Sequence, residues 1–531
     1  MREIMHWLDV LLPQIKEFLK GKEEVHCSAG LSVSGLQHVG RLRGEVVLTN
    51  SISRELRADG KNVTQYLVLY TQDPWKGTKG QLSRFQGKKG ERYVNWRLKD
   101  VPDPTGCHSS WVEHYWEDFG GYMDRFAPGV VIEETGEVYA KEEMRRIVLD
   151  LVDKSDAVRS LINNYRGERK YPKGWIPFDA FCEECNTIGT AETKKVEENG
   201  EVQYSCSQGH EGVSKLEEGK LNWRLEWPAL WKLLKVDIEA FGKDHATPGG
   251  SRDSCKEIAR DIMNMLPPYG IPYEWVGVQS QGRDLGDMSS SGFLGFTPRE
   301  WLEIGEPEVL RYLYLFSSTA KRIVLDLSKV DRYHDRYDEA ERLFFENSGE
   351  RARAYELSQL EDPPSTVPFQ IPYRHASLLA QTASPENPVD WAIKRLRDTG
   401  VLTTDLSERE RQRVKRRLAL SGNWTRRYAP EDLRIDILRD IRSVWDKLED
   451  ADREALGRFH DSLSGIPWTE KELKNAMTRL TSSGELAVKT RRFFRSLYLV
   501  FLGKERGPRA APFLSVLDKD FVLERLKEVS Q

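Results

Sequence analysis

Residues 25–72 alternate between strand-like and helix-like segments around a glycine-rich turn, and this region constrains the fold more than any other. The strand-like VHCSAG leads into the turn LSVSGLQHVG, then into RLRGEVVLTNSISRELRADG with apolar residues at helical spacing, and then into the strand-like YLVLYTQD. A strand, a glycine turn and a helix in this order begin a nucleotide-binding α/β unit, because the free N–H groups of the helix N-terminus can receive phosphate. We therefore predict a Rossmann-like parallel sheet at the N-terminal side.

The chain is long enough for several structural units. At 531 residues it exceeds one hydrophobic core, and about 100–200 residues per domain predict three or four units. We predict an α/β part over residues 1–310, interrupted by a small insertion over 172–222. A helical stem over 311–372, ending in the proline-rich EDPPSTVPFQIP, and an all-α part over 373–531 follow. Residues 73–100, rich in Lys, Arg and Gly, are interpreted as a solvated loop or an RNA-facing insertion.

Charge and hydropathy exclude some classes of protein. The net charge of -4 and the pI near 6.3 give no global signature of a nucleic-acid binder, so affinity for RNA requires local basic patches. No stretch approaches the roughly 18 consecutive apolar residues of a membrane span, and the amphipathic N-terminus carries no cleavage site. We expect a cytoplasmic monomer without a membrane partner.

Two motifs suggest ATP chemistry. In SVSGLQHVG, Ser34, Gly35, His38 and Gly40 precede a helix and could direct backbone N–H groups and an imidazole donor at a phosphate. In GRDLGDMSSSGF, which follows a predicted strand, the Ser and Gly residues of a mobile loop could close over a triphosphate. The alternatives are a tight turn with a packed histidine and an ordinary flexible turn.

Cysteine spacing predicts a metal site. Cys182 and Cys185 are separated by two residues, and Cys206 and His210 follow with three residues between them. Two short pairs with thiolate and imidazole ligands suit tetrahedral Zn²⁺, and a closed set of four ligands indicates a structural role. The alternative is a set of reduced thiols that holds no metal. Cys27, Cys107 and Cys255 are interpreted as ordinary buried thiols.

Two basic runs in the all-α part are candidates for RNA contact. ERERQRVKRRLALSGNWTRR and KTRRFFRSLY interleave basic and aromatic side chains, which can contact phosphates and stack on unpaired bases. A solvated helix face is the competing explanation for either run. The predicted contacts are Arg413, Lys415, Arg416, Arg417, Trp424, Arg426, Arg427, Arg491 and Arg492.

Four further stretches resemble class I lysyl-tRNA synthetases of archaea and some bacteria. They are VPDPTGCHSSWVEHY, NWRLEWPALW, FGKDH and LYLVFLGKERGPRAAPFLSVLD, and they are spread through the chain. The two motifs above also resemble the two ATP signatures of class I aminoacyl-tRNA synthetases. The resemblance implies a class I synthetase catalytic fold, and an enzyme that activates lysine with ATP and Mg²⁺ and passes it to tRNA(Lys). It also implies a zinc-containing insertion and a helical anticodon-binding region.

The resemblance assigns roles to individual residues. Ser34, Gly35, His38, Gly40 and Met288 fall on the ATP signatures, and His38, Arg41, Ser289, Ser290 and Ser291 form the implied catalytic set. The implied lysine-binding residues are Gly30, Ser32, Trp223 or Trp227, Asp244, His245 and Tyr273. Acidic or carbonyl acceptors suit an ammonium group, and aromatic walls suit its four-carbon stem; core packing is the alternative for each tryptophan.

The second signature departs from the family pattern. The family has lysines where this chain has Asp287 and Gly292, and Arg41 ends the first signature in place of Asn or His. A lost cation at a developing phosphate charge costs about 2.7–4 kcal/mol by analogy with a lost oxyanion donor. Arg41, Arg283 or Lys243 could supply the charge, Asp287 could recruit Mg²⁺, or activation is weak. The alternative function is a divergent paralogue that binds lysine, ATP or RNA, or that loads a non-tRNA acceptor.

Overall fold

The computed structural model describes residues 5–346, 349–383, 386–482, 486 and 488–531. Contacts group the chain into two compact units. Unit 1 comprises residues 1–302, 307–326 and 343–363, and unit 2 comprises residues 303–306, 327–342 and 364–531. The stem predicted over 311–372 is thus divided between the two units.

The strands of the described chain all lie in unit 1. They are β1 (Glu24–Leu31), β2 (Asn62–Leu69), β3 (Val131–Glu134), β4 (Phe178–Cys182), β5 (Thr187–Val196), β6 (Glu201–Cys206), β7 (Glu211–Lys215), β8 (Lys220–Leu221), β9 (Ile238–Gly242), β10 (Tyr269–Tyr273), β11 (Val276–Ser280), β12 (Arg283–Asp287) and β13 (Ile323–Asp326).

Helices alternate with the strands of unit 1, and in unit 2 helices are the regular structure of the described residues. They are α1 (Trp7–Phe18), α2 (Thr49–Ala58), α3 (Lys79–Leu82), α4 (Trp111–Met123), α5 (Thr135–Val138), α6 (Glu142–Asp153), α7 (Ser155–Asn163), α8 (Trp223–Leu233), α9 (Ser251–Glu257), α10 (Pro298–Leu302), α11 (Pro307–Phe316), α12 (Val330–Phe345), α13 (Gly349–Ser358), α14 (Tyr373–Thr382), α15 (Pro388–Asp398), α16 (Glu408–Arg427), α17 (Asp450–Ser462), α18 (Glu470–Ser482), α19 (Thr490–Leu502), α20 (Ala510–Val516) and α21 (Lys519–Ser530).

A five-stranded parallel sheet forms the centre of unit 1. Its order is β10-β9-β1-β2-β3, with β1 paired in parallel to both β2 and β9. The chain leaves β1 through the glycine turn, enters a π-helical segment over Leu42–Leu48 and continues into α2 before it returns as β2. This is the predicted strand, turn, helix and strand, and the sheet confirms the α/β fold class. The sheet order reverses direction around β1, which is where open α/β sheets bind ligands beyond the carboxyl ends of their strands.

Two smaller sheets complete unit 1. Residues 178–221 form a five-stranded antiparallel sheet in the order β7-β6-β5-β4-β8, and the predicted metal ligands lie at its strand ends. A three-stranded sheet in the order β12-β11-β13 carries the second motif after its edge strand β12. Within this sheet β11 pairs antiparallel to β12 and parallel to β13.

Buried aromatic rings anchor residues 73–100, so the interpretation as a solvated loop was wrong, and the RNA-facing alternative stays a prediction. Trp75 and Tyr93 are buried, and the Trp75 ring meets the buried Trp111 edge-on at 5.5 Å between ring centroids. The Lys, Arg and Gly content of the segment suggested exposure to solvent. A few large aromatic rings can nevertheless anchor a segment in the core while its charged side chains extend to solvent.

Unit 2 is built from helices with two apolar cores. One core gathers residues of 441–529, including Phe459, Phe493 and Phe501, and the other gathers residues of 371–418 with Val516. Ser407 and Glu410 form a capping box that starts α16. No helix in the described part of the chain is both long and apolar enough to cross a membrane.

Candidate active site

A cavity of about 450 Å³ lies in unit 1 and is lined by both predicted motifs. Gly30, Ser34, His38, Gly40 and Arg41 line it from the turn after β1, and the loop Asp287–Ser291 lines it after β12. Trp223, Trp227, Asp244, His245 and Tyr273 complete most of its wall. Segments about 250 residues apart thus meet where nucleotide sites of open α/β sheets occur.

Two predicted residues lie just outside this cavity. Ser32 lines an adjoining cavity of about 480 Å³ that shares Gly30, Trp223 and His245 with the first. Gly35 packs under the second loop: a Cβ at this position would lie 2.5 Å from the carbonyl oxygen of Ser290. Glycine is therefore required at position 35 for the two motifs to approach each other.

His38 is held as a neutral imidazole at the cavity wall. Burial, together with the charge of Arg41, lowers the pKa of His38 to about 3. Its Nδ1 has no hydrogen-bond partner among the described residues. The backbone around it is fixed, because Val39 N–H donates to Phe296 O at 2.8 Å and the Tyr314 hydroxyl donates to Val39 O at 2.8 Å. A neutral imidazole can donate one N–H to an incoming anion without the desolvation cost of a buried imidazolium ion.

A buried carboxylate stands beside Arg41. The π-helical segment places Arg41 Nη1 3.4 Å from Glu45 Oε1, and Glu45 also lines the cavity. Burial raises the pKa of Glu45, opposed by the charge of Arg41 and by a hydrogen bond with Tyr273. Its second oxygen has no partner within the described chain. Gly44 permits this packing, because a Cβ there would lie 2.0 Å from the Tyr273 ring.

Aromatic rings form the wall on the side of α8. Trp223 and Trp227 stack with 5.3 Å between ring centroids, and His245 lies 5.0 Å from Trp227. Both tryptophans line the cavity, so its geometry does not choose between them and the lysine-binding assignment stays a prediction. Asp244 is exposed and lies 3.5 Å from His245 Nε2.

Glu239 is a lining residue that the sequence motifs did not indicate. Its carboxylate accepts hydrogen bonds from Trp227 Nε1 at 2.6 Å and Trp231 Nε1 at 3.0 Å, and it pairs with the buried Arg252. Burial raises the pKa of Glu239, opposed by Arg252. An acid inside the apolar strand DIEAFG is the signal that could have found it, because a charge in a central strand needs a specific partner.

The second loop is closed on itself. Ser289 and Leu294 exchange backbone hydrogen bonds of 2.8 and 3.0 Å, and Met288 N–H donates to Val276 O at 2.9 Å. The hydroxyl of Ser290 is buried without a partner in the described chain, and Ser291 O accepts from Thr78 Oγ1 at 3.1 Å. The loop thus lines the cavity in a defined conformation, with Ser289 Oγ accepting from Gly292 N–H at 3.2 Å.

Comparison with known proteins gives the family. The family model "tRNA synthetases class I (K)" matches residues 5–361, and the model "Anticodon binding domain" matches residues 438–530. The chain belongs to the class I tRNA synthetases. It is 42% identical to a lysine–tRNA ligase of Aeropyrum pernix over 99% of this chain and 98% of that protein. It is 32% identical to the corresponding ligase of Methanocaldococcus jannaschii over 98% of this chain and 99% of that protein.

The synthetase places its predicted metal ligands together. Ligand atoms of Cys182, Cys185, Cys206 and His210 all lie within 4.8 Å of one another. Cys185 Sγ is 3.6 Å from Cys206 Sγ and 3.1 Å from His210 Nδ1. Tetrahedral Zn²⁺ with Zn–S bonds of about 2.3 Å separates its sulfurs by roughly 3.7 Å, so the donor set fits this metal.

A second group of possible ligands lies in the loop before α4 and in the first turn of that helix. Ligand atoms of Asp103, Cys107, His108 and His114 also lie within 4.8 Å of one another. Cys107 Sγ is 3.0 Å from His108 Nδ1 and 3.2 Å from His114 Nδ1, and His114 Nδ1 is 3.4 Å from Asp103 Oδ1. The prediction that Cys107 is a buried thiol was wrong, because it is exposed, whereas Cys27 and Cys255 are buried.

Helix α16 buries part of the predicted RNA surface. Trp424 is fully buried, and its Nε1 donates to Leu327 O at 2.8 Å. Arg417 is also buried and pairs with Asp338 and Glu306, and Arg413 pairs with Glu341. Trp424 and Arg417 are buried inside unit 2, so assigning these two to RNA contact was wrong. Arg413 is partly exposed, and Lys415, Arg416, Arg426 and Arg427 are exposed, so their contact with RNA stays a prediction.

The second basic run lines an open cavity. A cavity of about 1180 Å³ in unit 2 is lined by Arg491, Arg492, Phe494, Arg495 and Tyr498 of α19, and by Lys489, Lys504, Arg506, Gly507, Glu431, Asp432 and Glu505. Six basic residues face three acidic ones there, and two aromatic rings contribute to the wall. Arg492 is engaged by Asp452 at 2.8 Å and by Glu449 at 2.6 Å, whereas Arg491 is exposed.

Proposed function

We propose that this synthetase activates lysine with ATP and transfers the lysyl group to tRNA(Lys). The observation that carries the proposal is the single cavity in which His38, the loop Ser289–Ser291 and a wall of Trp223 and Trp227 meet. The relatives that are similar over their full length are lysine–tRNA ligases, which supports lysine as the amino acid. In this proposal the enzyme acts in the cytoplasm, where tRNA is charged.

We assign the two ends of the cavity to different substrates. The triphosphate lies between His38 and the loop Asp287–Ser291, where an imidazole N–H, hydroxyl groups and backbone N–H groups converge. Lysine lies against the tryptophans, whose faces suit an alkyl stem and a cation. The buried carboxylates Glu45 and Glu239 and the exposed Asp244 supply negative potential for its ammonium groups.

The chemistry proceeds by two transfers. A carboxylate oxygen of lysine attacks the α-phosphorus of ATP, the bond to the β-phosphate breaks, and pyrophosphate leaves. A ribose hydroxyl at the tRNA 3′ end then attacks the lysyl carbonyl carbon, the bond from that carbon to the adenylate oxygen breaks, and AMP leaves while the hydroxyl proton is released to solvent. His38 donates its N–H to an α-phosphate oxygen as negative charge develops there. Mg²⁺ bound with the nucleotide would neutralise part of the triphosphate charge.

The remaining assignments extend the proposal to metals and RNA. Cys182, Cys185, Cys206 and His210 would hold structural Zn²⁺ within a module over residues 172–222, and Asp103, Cys107, His108 and His114 would hold a second ion. The helical part over 373–531 would read the anticodon, with Arg491 and the rest of the α19 cavity contacting phosphates and stacking on bases.

The test is lysine-dependent exchange of pyrophosphate into ATP, followed by charging of total tRNA. We expect exchange with lysine and at least tenfold less with ornithine or arginine. Ornithine is one methylene shorter, which is worth about 1–3 kcal/mol in a fitted pocket, and the guanidinium of arginine is planar and wider than an ammonium group. Exchange that is equally fast without lysine, or no transfer to tRNA, would reject the proposal.

A further inference from the structure

The cavity is unusually acidic for a site that must bind a triphosphate. Its lining includes four carboxylates, those of Glu45, Glu239, Asp244 and Asp287, whereas Arg41 is its one arginine or lysine, and all lining residues lie in the described chain. Three of the acids have a use toward lysine in the proposed function. Asp287 precedes the Ser289–Ser291 loop, where negative charge would repel phosphate.

Arg322 neutralises this acid from outside the cavity. It precedes β13, and its Nε lies 2.5 Å from Asp287 Oδ1. Its two terminal nitrogens lie 2.7 and 3.2 Å from the carboxylate oxygens of Asp284, so one guanidinium holds both ends of the acidic run in β12. The hydrogen bonding of Arg322 to Asp284, followed by that of the Gly286 backbone N–H, lowers the pKa of Asp284 to about 2.

A glycine in the middle strand β11 leaves room for Arg322 to reach β12. In the order β12-β11-β13, the arginine must cross β11, where Gly277 pairs with Asp287 on one side and with Val324 on the other. A Cβ at Gly277 would lie 2.2 Å from Arg322 Nη2 and 2.7 Å from its Cζ. The guanidinium therefore lies directly on the glycine, and any side chain at this position would displace it.

Two of the three cations named from the sequence, Lys243 and Arg41, have different partners. Lys243 pairs with Glu274 at 2.5 Å and does not line the cavity. Arg41 lines the cavity but faces Glu45. The carboxylate of Asp287 is committed to Arg322, which argues against its recruiting Mg²⁺ by itself.

We propose that Arg322 is the positioning residue for ATP in this chain. It cancels the charge of Asp287 at the phosphate end of the cavity and anchors the strand that leads into the serine loop. The inference rests on the proposed function, because it assumes that a triphosphate occupies this end. It predicts an electrostatic role that can be separated from a merely structural one by removing the acid together with the arginine.

The test compares Arg322→Ala, Asp287→Asn and the double variant in the pyrophosphate exchange assay. Arg322→Ala should raise the KM for ATP about tenfold and leave the KM for lysine within about twofold, because the uncovered charge of Asp287 repels phosphate. Asp287→Asn should lower the KM for ATP, since one negative charge is removed and the remaining pair of Arg322 and Asp284 carries no net charge. The double variant should regain most of the affinity for ATP that Arg322→Ala loses.

Two further variants serve as controls. Gly277→Ala keeps both charges but displaces the guanidinium, and it should shift the KM for ATP in the same direction as Arg322→Ala. Arg299→Ala removes a half-exposed arginine paired with Asp118, outside the cavity, and should change neither KM.

The outcomes are distinct. A double variant no better than Arg322→Ala would mean that the arginine only braces the sheet, and an unchanged KM in Arg322→Ala would remove the proposal entirely. Calorimetric binding of a non-hydrolysable ATP analogue repeats the comparison without the reaction. If wild-type protein binds the analogue but shows no lysine-dependent exchange, the proposed function fails while the Arg322 comparison can still be made.

Discussion

Replacing Arg41 by alanine should slow lysine activation at least tenfold while leaving lysine affinity nearly unchanged. A unit charge about 6 Å from a developing phosphate charge is worth roughly 2.8 kcal/mol at an effective dielectric constant near 20. The Arg41 side chain is 26% exposed, and halving the value for solvent screening leaves about 1.4 kcal/mol, or a factor of ten. The loss should appear in kcat, because the contact strengthens as charge develops on the phosphate.

The measurement is pyrophosphate exchange at saturating lysine and ATP, with lysine affinity measured separately by calorimetry. The main complication is Glu45, whose buried carboxylate loses its cation in Arg41→Ala, so that its pKa rises further. Arg41→Ala combined with Glu45→Gln removes this stranded acid and should stay slow, and Arg41→Lys should retain most of the rate. A wild-type rate in Arg41→Ala, or recovery in the double variant, would refute a role for Arg41 at the phosphate.

Three further predictions concern the metals, the RNA surface and pH. Purified protein should contain about two equivalents of zinc by elemental analysis, and Cys206→Ser and His114→Ala should each remove about one; a metal-free wild type would contradict both sites. Arg491→Ala should weaken tRNA binding with little change in melting temperature. Arg417→Ala should instead cost about 3–5 kcal/mol of stability, because it leaves the buried carboxylates of Asp338 and Glu306 without their cation. Equal effects of the two changes on the melting temperature would contradict the assignment of Arg491 to RNA and Arg417 to the core. Burial lowers the pKa of His375 to about 4, so the unfolded chain binds an extra proton between about pH 4 and 6.5 and His375 reduces stability as pH falls through that window. Denaturant unfolding should therefore show that His375→Gln loses less stability than wild type between pH 7 and 5, and an equal loss would contradict the assignment.

Local sequence patterns predicted the parts of the molecule that depend on local physics. The turn between β1 and α2 is encoded by glycines and helical apolar spacing within about 40 residues, and the structure has it as expected. The four ligands of the first metal group come in two short pairs on neighbouring turns, a spacing that leaves little freedom. Both features can be read without knowing which distant segments meet.

The missed features depend on distant segments or on which face of a helix is covered. The acid in the strand DIEAFG marks Glu239 as unusual, but its partners Trp227 and Arg252 follow only from the packing of α8 and α9. The pairing of Arg322 with β12 follows only once β13 is placed beside β11. Arg417 and Trp424 lie on the covered face of α16, where a basic run looks the same in sequence whether its charges meet phosphate or buried carboxylates. Sequence composition does not distinguish these cases, because both satisfy the arginines equally well.

The acidic cavity and its external arginine follow from one conflict between the two substrates. A pocket that selects a cationic amino acid gains from carboxylates, but the same negative potential raises the cost of bringing a triphosphate within a few ångströms. A lysine inside the loop would relieve that cost and would also compete for the carboxylates intended for the substrate ammonium. Arg322 avoids the competition, because both of its edges are occupied by Asp284 and Asp287 and it does not line the cavity. One of the two negative charges of β12 is thereby neutralised while the lysine end stays acidic, and loss of the two loop lysines is compatible with activation.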